Sequence, residues 1–227
     1  MALISYARGR SVPVTANFTS GEFDCKGAKC RCTVTRIDSR LVRKLQMLRR
    51  LCGSAVYITS GNRCPTHNRA VGGSSASYHL STAGKAADIV VAGMTPAQVA
   101  KLAQELGFAG IGRYDGTAGR FVHVDVRPGA YYWHNTSGVD RPVSGHGGTK
   151  PCNPYKRSTA TLRRGSVGDG VRHVQWTLDR FGYRCAVDGD FGPATLAAVK
   201  EFQRDLLLDA DGIVGPDTRA ALKEVLA

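Results

Sequence analysis

The sequence predicts an α+β N-terminal domain, built from a small antiparallel sheet with flanking helices, followed by an all-α bundle of three short helices. Helix-like and strand-like hydrophobic patterns alternate through the first 135 residues, whereas the C-terminal part contains only helical patterns separated by turns. We therefore assign one domain to residues 1–135, a linker to 136–160 and a helical domain to 161–227. A chain of 227 residues is long enough for one medium and one small domain.

Two helices are predicted in the N-terminal domain. Asp38 and Ser39 precede an amphipathic run that reaches residue 51. Thr95-Pro-Ala-Gln98 is typical of a capping box with proline at the first helical position, and Gly107 ends that helix.

Short strands are predicted where β-branched and aromatic residues cluster. They cover residues 55–59, 86–91, 110–114 and 121–126.

The predicted linker is rich in residues that break regular structure. Residues 136–160 contain three prolines and four glycines, with few apolar residues between them. This composition is typical of a linker or of a loosely packed extension.

The C-terminal segment contains an internal repeat. DGDFGPATLAAVKE at residues 188–201 matches DGIVGPDTRAALKE at 211–224 in nine of 14 positions. In each copy Asp-Gly predicts a turn, and Gly-Pro places a proline at the start of a helix. An earlier helix is predicted from about Asp169 to Phe181.

These C-terminal motifs resemble those of the three-helix peptidoglycan-binding domain that accompanies many cell-wall hydrolases. The resemblance covers about residues 160–226 and implies a module that binds the bacterial wall. Peptidoglycan is therefore the expected partner.

Composition excludes several classes of protein. Hydrophobic residues make up 42% of the chain, too many for a disordered protein. No stretch of about 18 consecutive apolar residues is present, so we expect no stable membrane insertion. The N-terminus shows no basic start followed by an apolar core, so we expect no secretory signal and synthesis in the cytoplasm.

Positive charge is concentrated in the N-terminal part. The chain has a net charge of +13, and residues 1–150 hold 20 Lys+Arg against 8 Asp+Glu. Such a charge attracts nucleic acids, anionic membranes or anionic polymers such as a cell wall. Nucleic-acid binding is disfavoured because the most basic segment, residues 36–51, contains no aromatic residue. That segment is either a solvated helix face or a binding face.

Three polar residues stand within apolar or turn segments and form a candidate metal site. His79, Asp88 and His123 offer two imidazoles and one carboxylate, which suit a catalytic zinc with one open position for water. Zinc lowers the pKa of such a water towards about 7. His123 and Asp125 are two residues apart on a predicted strand and so share a face. The alternative is that these histidines are hydrogen-bonded core residues.

The seven cysteines are treated as free thiols, because the chain is expected in a reducing compartment. Cys25, Cys30 and Cys32 lie close together in sequence. Metal binding by these three is an alternative, but their spacing fits no standard zinc knuckle.

The N-terminal motifs resemble those of zinc peptidases that include D-Ala-D-Ala carboxypeptidases, vancomycin-resistance dipeptidases and L-alanyl-D-glutamate endolysins. The matching segments are NFTSGEF at 17–23, SGNRCPTHN at 60–68, VGGS at 71–74, SYH at 77–79, GKAAD at 84–88 and FVHVD at 121–125. The resemblance covers roughly residues 15–135. It implies a zinc cofactor held by His79, Asp88 and His123. It also implies that Arg63 binds a substrate carbonyl or carboxylate and that Ser77 supports the ligand loop at the substrate site.

Two departures from the family pattern affect the predicted site. The loop between His79 and Asp88 is longer by two residues than the family pattern, so Asp88 meets the histidines only if a bulge or turn accommodates the insertion. The position three residues before His123 is Arg120, where many relatives carry a carboxylate as general base. Asp125 is our candidate for that catalytic role, and orienting His123 or binding the metal itself are the alternatives.

The predicted function is that of a zinc-dependent peptidoglycan peptidase. It hydrolyses an amide bond in the stem peptide or cross-link and is anchored by the C-terminal domain. We expect a monomeric, phage-endolysin-like enzyme that acts on the wall after release from the cytoplasm. The alternative is a non-catalytic peptidoglycan-binding protein with a vestigial zinc site.

Overall fold

The computed structural model describes residues 3–116 and 119–226. The outer limits of the two predicted domains, residues 1 and 227, lie outside the described residues. Within the described part, the strands are β1 (Leu3–Ala7), β2 (Pro13–Thr15), β3 (Phe18–Thr19), β4 (Val34–Asp38), β5 (Val56–Ser60), β6 (Ala86–Val91), β7 (Gly110–Tyr114), β8 (Phe121–Asp125), β9 (Tyr131–Asn135) and β10 (Asp140–Val143). The helices are α1 (Ser39–Cys52), α2 (Pro65–Ala70), α3 (Pro96–Glu105), α4 (Asp169–Arg180), α5 (Pro193–Asp205) and α6 (Pro216–Leu226), with a 3₁₀ helix at Ser20–Phe23. The predicted α+β domain followed by an all-α domain is confirmed.

The main sheet has six strands in the order β10-β9-β7-β8-β6-β5. It is mixed rather than purely antiparallel, because β9 pairs with β7 in parallel while the other neighbours are antiparallel. The chain leaves β8, crosses to the far side of β7 and returns through β10 as a hairpin.

The outermost strand, β10, lies in the segment that the sequence assigns to the linker. Pro142 is tolerated there because an edge strand has one row of backbone groups without a ladder partner. The turn before β10 is held by Asn135, whose Nδ2 donates to Asp140 Oδ1 at 2.8 Å. Residues 144–160 contain neither strand nor helix.

Side chains alternate between the two faces of this sheet, and one face forms the core. Ala87 and Ile89 of β6, Val122 and Val124 of β8 and Ile111 of β7 all belong to the buried cluster. That cluster also contains apolar side chains of α1 and α3. Polar residues between these positions therefore point to the opposite face, away from the core.

The predicted helix caps are present. Asp38 caps α1 by accepting from the backbone N–H of Arg40, and Gly53, with a φ of +60°, ends it. Thr95 and Gln98 form the predicted capping box of α3.

The C-terminal repeat is explained by two buried glutamines that make equivalent contacts. Gln175 Nε2 donates to Asp188 Oδ1 at 2.7 Å and to Thr195 Oγ1 at 2.9 Å. Gln203 Nε2 donates in the same way to Asp211 Oδ1 and to Thr218 Oγ1, at 2.9 and 3.0 Å. Each glutamine thus fixes one Asp-Gly turn against the helix that follows it.

The basic face of α1 packs against the helical domain. Arg43 pairs with Glu224 of α6 at 2.7 Å. Arg50 lies over the ring of Tyr183, 3.8 Å from its centroid, and pairs with Asp205 at 3.3 Å. Part of the basic segment is therefore neutralised by the second domain, a use that the sequence does not reveal.

Among the described residues, no helix is both long enough and apolar enough to span a membrane.

Gln203→Ala is expected to destabilise the helical domain by about 3 kcal/mol, because it leaves buried polar groups without partners. Urea unfolding followed by fluorescence measures the change. Arg204→Ala, at the exposed neighbouring position, is the matched control. Equal effects of the two substitutions would contradict the structural role of Gln203.

Lys44 predicts a pH dependence of stability. Burial lowers the pKa of Lys44 from 10.5 to about 7, and its Nζ donates to the carbonyl oxygens of Leu106 and Gly107. Between about pH 7 and 10.5 the unfolded state binds a proton that the folded state does not. The free energy of unfolding should therefore rise with pH in this window, by up to about 1.4 kcal/mol per pH unit. Thermal or urea unfolding from pH 7 to 10 should show a flatter slope for Lys44→Met and an unchanged slope for the exposed Lys101→Met.

Candidate metal centre

The centre is built on one row of residues across the main sheet. Asp88 of β6 is the register partner of His123 of β8, which is opposite Gly112 of β7, which in turn is opposite Trp133 of β9. These positions alternate with the apolar residues of the core, so they lie on the opposite face of the sheet. Antiparallel register thus brings together an aspartate and a histidine that are 35 residues apart in the chain.

Two glycines of β7 make room for the side chains of the centre. A Cβ on Gly112 would lie 2.2 Å from the Trp133 ring, which packs on His123 with centroids 5.0 Å apart. A Cβ on Gly110 would lie 2.1 Å from Asp125 Oδ2. Any larger residue at either position would displace these side chains.

His79 reaches the centre from a loop whose backbone is fixed. Its Nδ1 donates to the carbonyl oxygen of Gly61 at 2.7 Å. Its backbone N–H donates to Ser77 Oγ at 3.3 Å, and its carbonyl accepts from the Arg63 N–H at 2.7 Å. Ser77 therefore supports the loop that carries His79.

The three predicted ligands converge. His79 Nε2 lies 3.1 Å from Asp88 Oδ1 and 2.9 Å from His123 Nδ1, and His123 Nδ1 lies 3.0 Å from Asp88 Oδ1. All three side chains are buried.

This donor set fits a metal ion. The partner of His79 Nδ1 is the carbonyl oxygen of Gly61, which can only accept a hydrogen bond. The ring proton of His79 is therefore on Nδ1, and its Nε2 lone pair faces the centre. His123 Nε2 bonds to the Asp125 carboxylate at 3.0 Å, which leaves Nδ1 for the centre. Three electron-rich atoms therefore meet about 3 Å apart, an arrangement that a divalent cation stabilises.

The close packing of these three side chains also shifts their pKa values. Burial raises the pKa of Asp88, but the neighbouring His79 and His123 outweigh this and hold that pKa well below its usual value. Burial lowers the pKa of His123, but hydrogen bonds to Asp125 and Asp88 outweigh it and raise that pKa to about 9. A proton on His123 and a metal ion therefore compete for the same position.

The two extra residues of the ligand loop are absorbed in a turn before β6. Ala83 and Gly84 donate their backbone N–H groups to the carbonyl of Leu80, at 2.7 and 3.1 Å. Gly84 has a φ of +59°, and a Cβ there would lie 2.6 Å from the Arg36 carbonyl oxygen. The insertion therefore leaves Asp88 opposite His123.

Arg63 lies beside the three converging ligands. Its Nε donates to Ser60 Oγ at 2.9 Å and one terminal nitrogen pairs with the outer oxygen of Asp88. Its side chain is 15% exposed. The guanidinium therefore orients Asp88.

Asp125 lies on the far side of His123 from the other ligands. It is fully buried and is held by Arg127, whose Nε donates at 2.8 Å. Burial raises the pKa of Asp125, but the bonds to His123 and Arg127 outweigh this and keep it well below its usual value. Of the three roles left open for Asp125, this geometry favours orienting His123. A carboxylate with so low a pKa and so close an arginine is a poor base for water.

The sequence motifs do not identify Arg127 and the aromatic side chains that lie beside the centre. The Arg127 guanidinium lies 4.7, 5.4 and 5.5 Å from the ring centroids of Tyr78, Tyr131 and Trp133. The alternation that groups His123 with Asp125 extends to Arg127, so a signal for it exists in the sequence. No comparable local signal exists for Trp133, which enters through the parallel pairing of β9.

Arg120 and three further histidines lie outside the three converging side chains. Arg120 is exposed. His67 Nδ1 lies 3.3 Å from Cys25 Sγ, and His134 pairs with Asp115 at 2.9 Å. His173 bonds to the Tyr155 carbonyl in the helical domain.

Comparison with known families agrees with this geometry. Residues 16–125 match the peptidase M15 family, and residues 167–222 match the family of peptidoglycan binding domains. The first match includes all three converging ligands and Arg63.

Individual relatives are similar over shorter stretches. The zinc D-Ala-D-Ala carboxypeptidase of Streptomyces albus G is 48% identical over 63 residues, which cover 26% of this chain and 25% of that protein. An uncharacterized protein of Kitasatospora aureofaciens is 42% identical over 90 residues, which cover 37% of this chain and 76% of that protein. The N-acetylmuramoyl-L-alanine amidase CwlL of Bacillus licheniformis is 39% identical over 83 residues, 34% of this chain and 22% of that protein.

This chain thus spans about a quarter of the length of the named carboxypeptidase and of the amidase. The domain matches cover more of the chain: it contains a peptidase M15 domain at residues 16–125, followed by a peptidoglycan-binding domain at residues 167–222.

Proposed function

We propose that this chain is a zinc-dependent peptidase that hydrolyses an amide bond in the stem peptide or cross-link of peptidoglycan. The observation that carries the proposal is the convergence of His79 Nε2, Asp88 Oδ1 and His123 Nδ1 within 3.1 Å of one another. The M15 match and the name of the carboxypeptidase relative support zinc as the metal.

These three residues would hold the zinc ion. When bound, zinc supplies a Lewis acid that activates water and polarises the scissile carbonyl. The protein keeps the ligand lone pairs directed inward, because the Gly61 carbonyl fixes the tautomer of His79 and Asp125 fixes that of His123.

Arg63 is assigned to substrate binding. Ser60 and Asp88 engage its Nε and one terminal nitrogen, and the second terminal nitrogen is the one we assign to a substrate carbonyl or carboxylate oxygen. A planar guanidinium offers separate donors, held at fixed angles, to Asp88 and to the substrate, which suits this task better than a lysine ammonium.

Asp125 is proposed as a positioning residue. It keeps a proton on His123 Nε2, and Arg127 holds it in place. The aromatic rings around Arg127 form an adjoining wall on which a peptide can lie.

The helical domain is proposed to keep the enzyme on its polymeric substrate and so raise its local concentration. The net charge of +13 supports binding to an anionic wall.

A second candidate function is wall binding without hydrolysis. Arg120 at the position of an expected acid favours it, as does the engagement of Asp125 by Arg127. Digestion of purified peptidoglycan, described next, distinguishes hydrolysis from binding alone.

Purified peptidoglycan digested with the wild-type chain should yield new peptide fragments by mass spectrometry. These fragments should disappear with a chelator, return with added zinc, and be absent for His79→Ala, which loses a metal ligand. His134→Ala, outside the three ligands, is the matched control and should retain activity. Absence of fragments from a wild-type chain that still pellets with the wall would support the non-catalytic binder instead.

Asp125→Asn should lower zinc affinity or activity by about 10–100-fold, since it weakens the group that orients a metal ligand. Asp115→Asn is the matched control, because Asp115 also pairs with a histidine and an arginine but away from the centre. A large loss of kcat at unchanged zinc affinity, with the acidic limb missing from the pH–rate profile of the residual activity, would instead make Asp125 the general base.

We also propose that the chain acts as an endolysin-like monomer, made in the cytoplasm and acting on the wall after release. Its expression in a bacterial host should lyse cells only when the membrane is permeabilised, and light scattering should give the mass of one chain. Lysis without permeabilisation, or a dimeric mass, would contradict this.

A further inference from the structure

A second group of metal-binding side chains lies outside the His–Asp–His centre. The Sγ atoms of Cys25, Cys30, Cys32 and Cys64 all lie within 4.8 Å of one another. The first three belong to the loop between the 3₁₀ helix and β4, and the fourth immediately precedes α2. The sequence draws attention only to the first three, because the fourth is distant in the chain.

The arrangement of the sulfurs fits a tetrahedral metal better than disulfides. Zinc binds thiolates at about 2.3 Å, which places the four sulfurs of a tetrahedron about 3.8 Å apart. Disulfides would instead draw the sulfurs into separate pairs at about 2.05 Å. Here all four sulfurs share one small volume, and all four cysteines are free.

Backbone N–H groups point at three of the four sulfurs. Cys32 donates to Cys30 Sγ at 3.3 Å, Cys64 to Cys25 Sγ at 3.4 Å, and His67 to Cys64 Sγ at 3.3 Å. Such donors stabilise thiolates more than neutral thiols, because hydrogen bonds to a charged acceptor are stronger. They are the outer contacts that a metal-bound thiolate needs.

The loop that carries these cysteines has little else to fold around. Residues 24–33 include no Leu, Ile, Val, Met, Phe, Tyr or Trp. Arg8 donates to the Cys25 carbonyl at 3.0 Å, and Lys26 Nζ donates to the Ile58 carbonyl at 2.6 Å. A structural metal can replace the apolar core that such a segment lacks.

Charge in the loop complements a metal–thiolate site. A divalent ion with four thiolates carries a net charge of −2. Lys26, Lys29 and Arg31 belong to the same loop and supply nearby positive charge.

We propose that these four cysteines bind a structural Zn²⁺. The four thiols release their protons to solvent as the ion binds. Since Cys64 directly follows Arg63, the ion fixes the segment that supplies the arginine beside the first metal centre. This site is independent of hydrolysis, so its test does not depend on the proposed activity.

Metal analysis of the full chain, purified under reducing conditions with zinc, should give two zinc ions per chain. Cys30→Ser and His79→Ala should each give one. Cys152→Ser, which removes an exposed cysteine outside the cluster, is the matched control and should retain two.

Cobalt substitution identifies which centre remains. His79→Ala loaded with Co²⁺ should keep a sulfur-to-cobalt charge-transfer band and intense visible bands of tetrahedral cobalt. This readout needs no cysteine variant, so it decides the question even if Cys30→Ser fails to fold.

A single zinc ion in the wild-type chain, with no sulfur-to-cobalt band in His79→Ala, would overturn the proposal. Disulfides among the four cysteines, seen by intact mass in the zinc-loaded protein, would also overturn it.

Discussion

The register between β6 and β8 is the constraint on which the candidate metal centre depends. It sets Asp88 directly opposite His123, and it directs both away from the apolar face of the sheet. If either strand slipped by one residue, its member of this pair would turn into the core and the apolar residues of that strand would leave it. Burial of the apolar face therefore fixes the position of the polar site, because alternate residues of the same strands form the two faces.

In this pair and in His79, the atoms that face away from the centre are held by hydrogen bonds. The Gly61 carbonyl holds His79, Asp125 holds His123, and Arg63 holds the outer oxygen of Asp88. The lone pairs of His79 Nε2, His123 Nδ1 and Asp88 Oδ1 are therefore directed into the centre. Preorganisation of this kind lowers the cost of assembling a metal site, because the ligands do not have to reorient.

Ion pairs join the two domains at their interface. Arg43 and Arg50 of α1 are neutralised by acidic residues of the helical domain, so part of the basic charge serves assembly rather than wall binding. Within the helical domain, Gln175 and Gln203 convert a sequence repeat into two equivalent turns. Each feature converts a linear pattern into a specific packing arrangement.

The sequence by itself determined the α+β and all-α division, the capped helices and the three residues that converge in the candidate metal centre. These follow from local periodicity, cap chemistry and motifs. Tertiary structure decided the rest. The parallel pairing of β9 brought Trp133 onto His123, and the pairing of Arg127 with Asp125 favoured one role for that carboxylate over two others. Cys64 joined its three partners only through folding. Such contacts link distant segments, and their energies depend on burial and charge that no local pattern encodes.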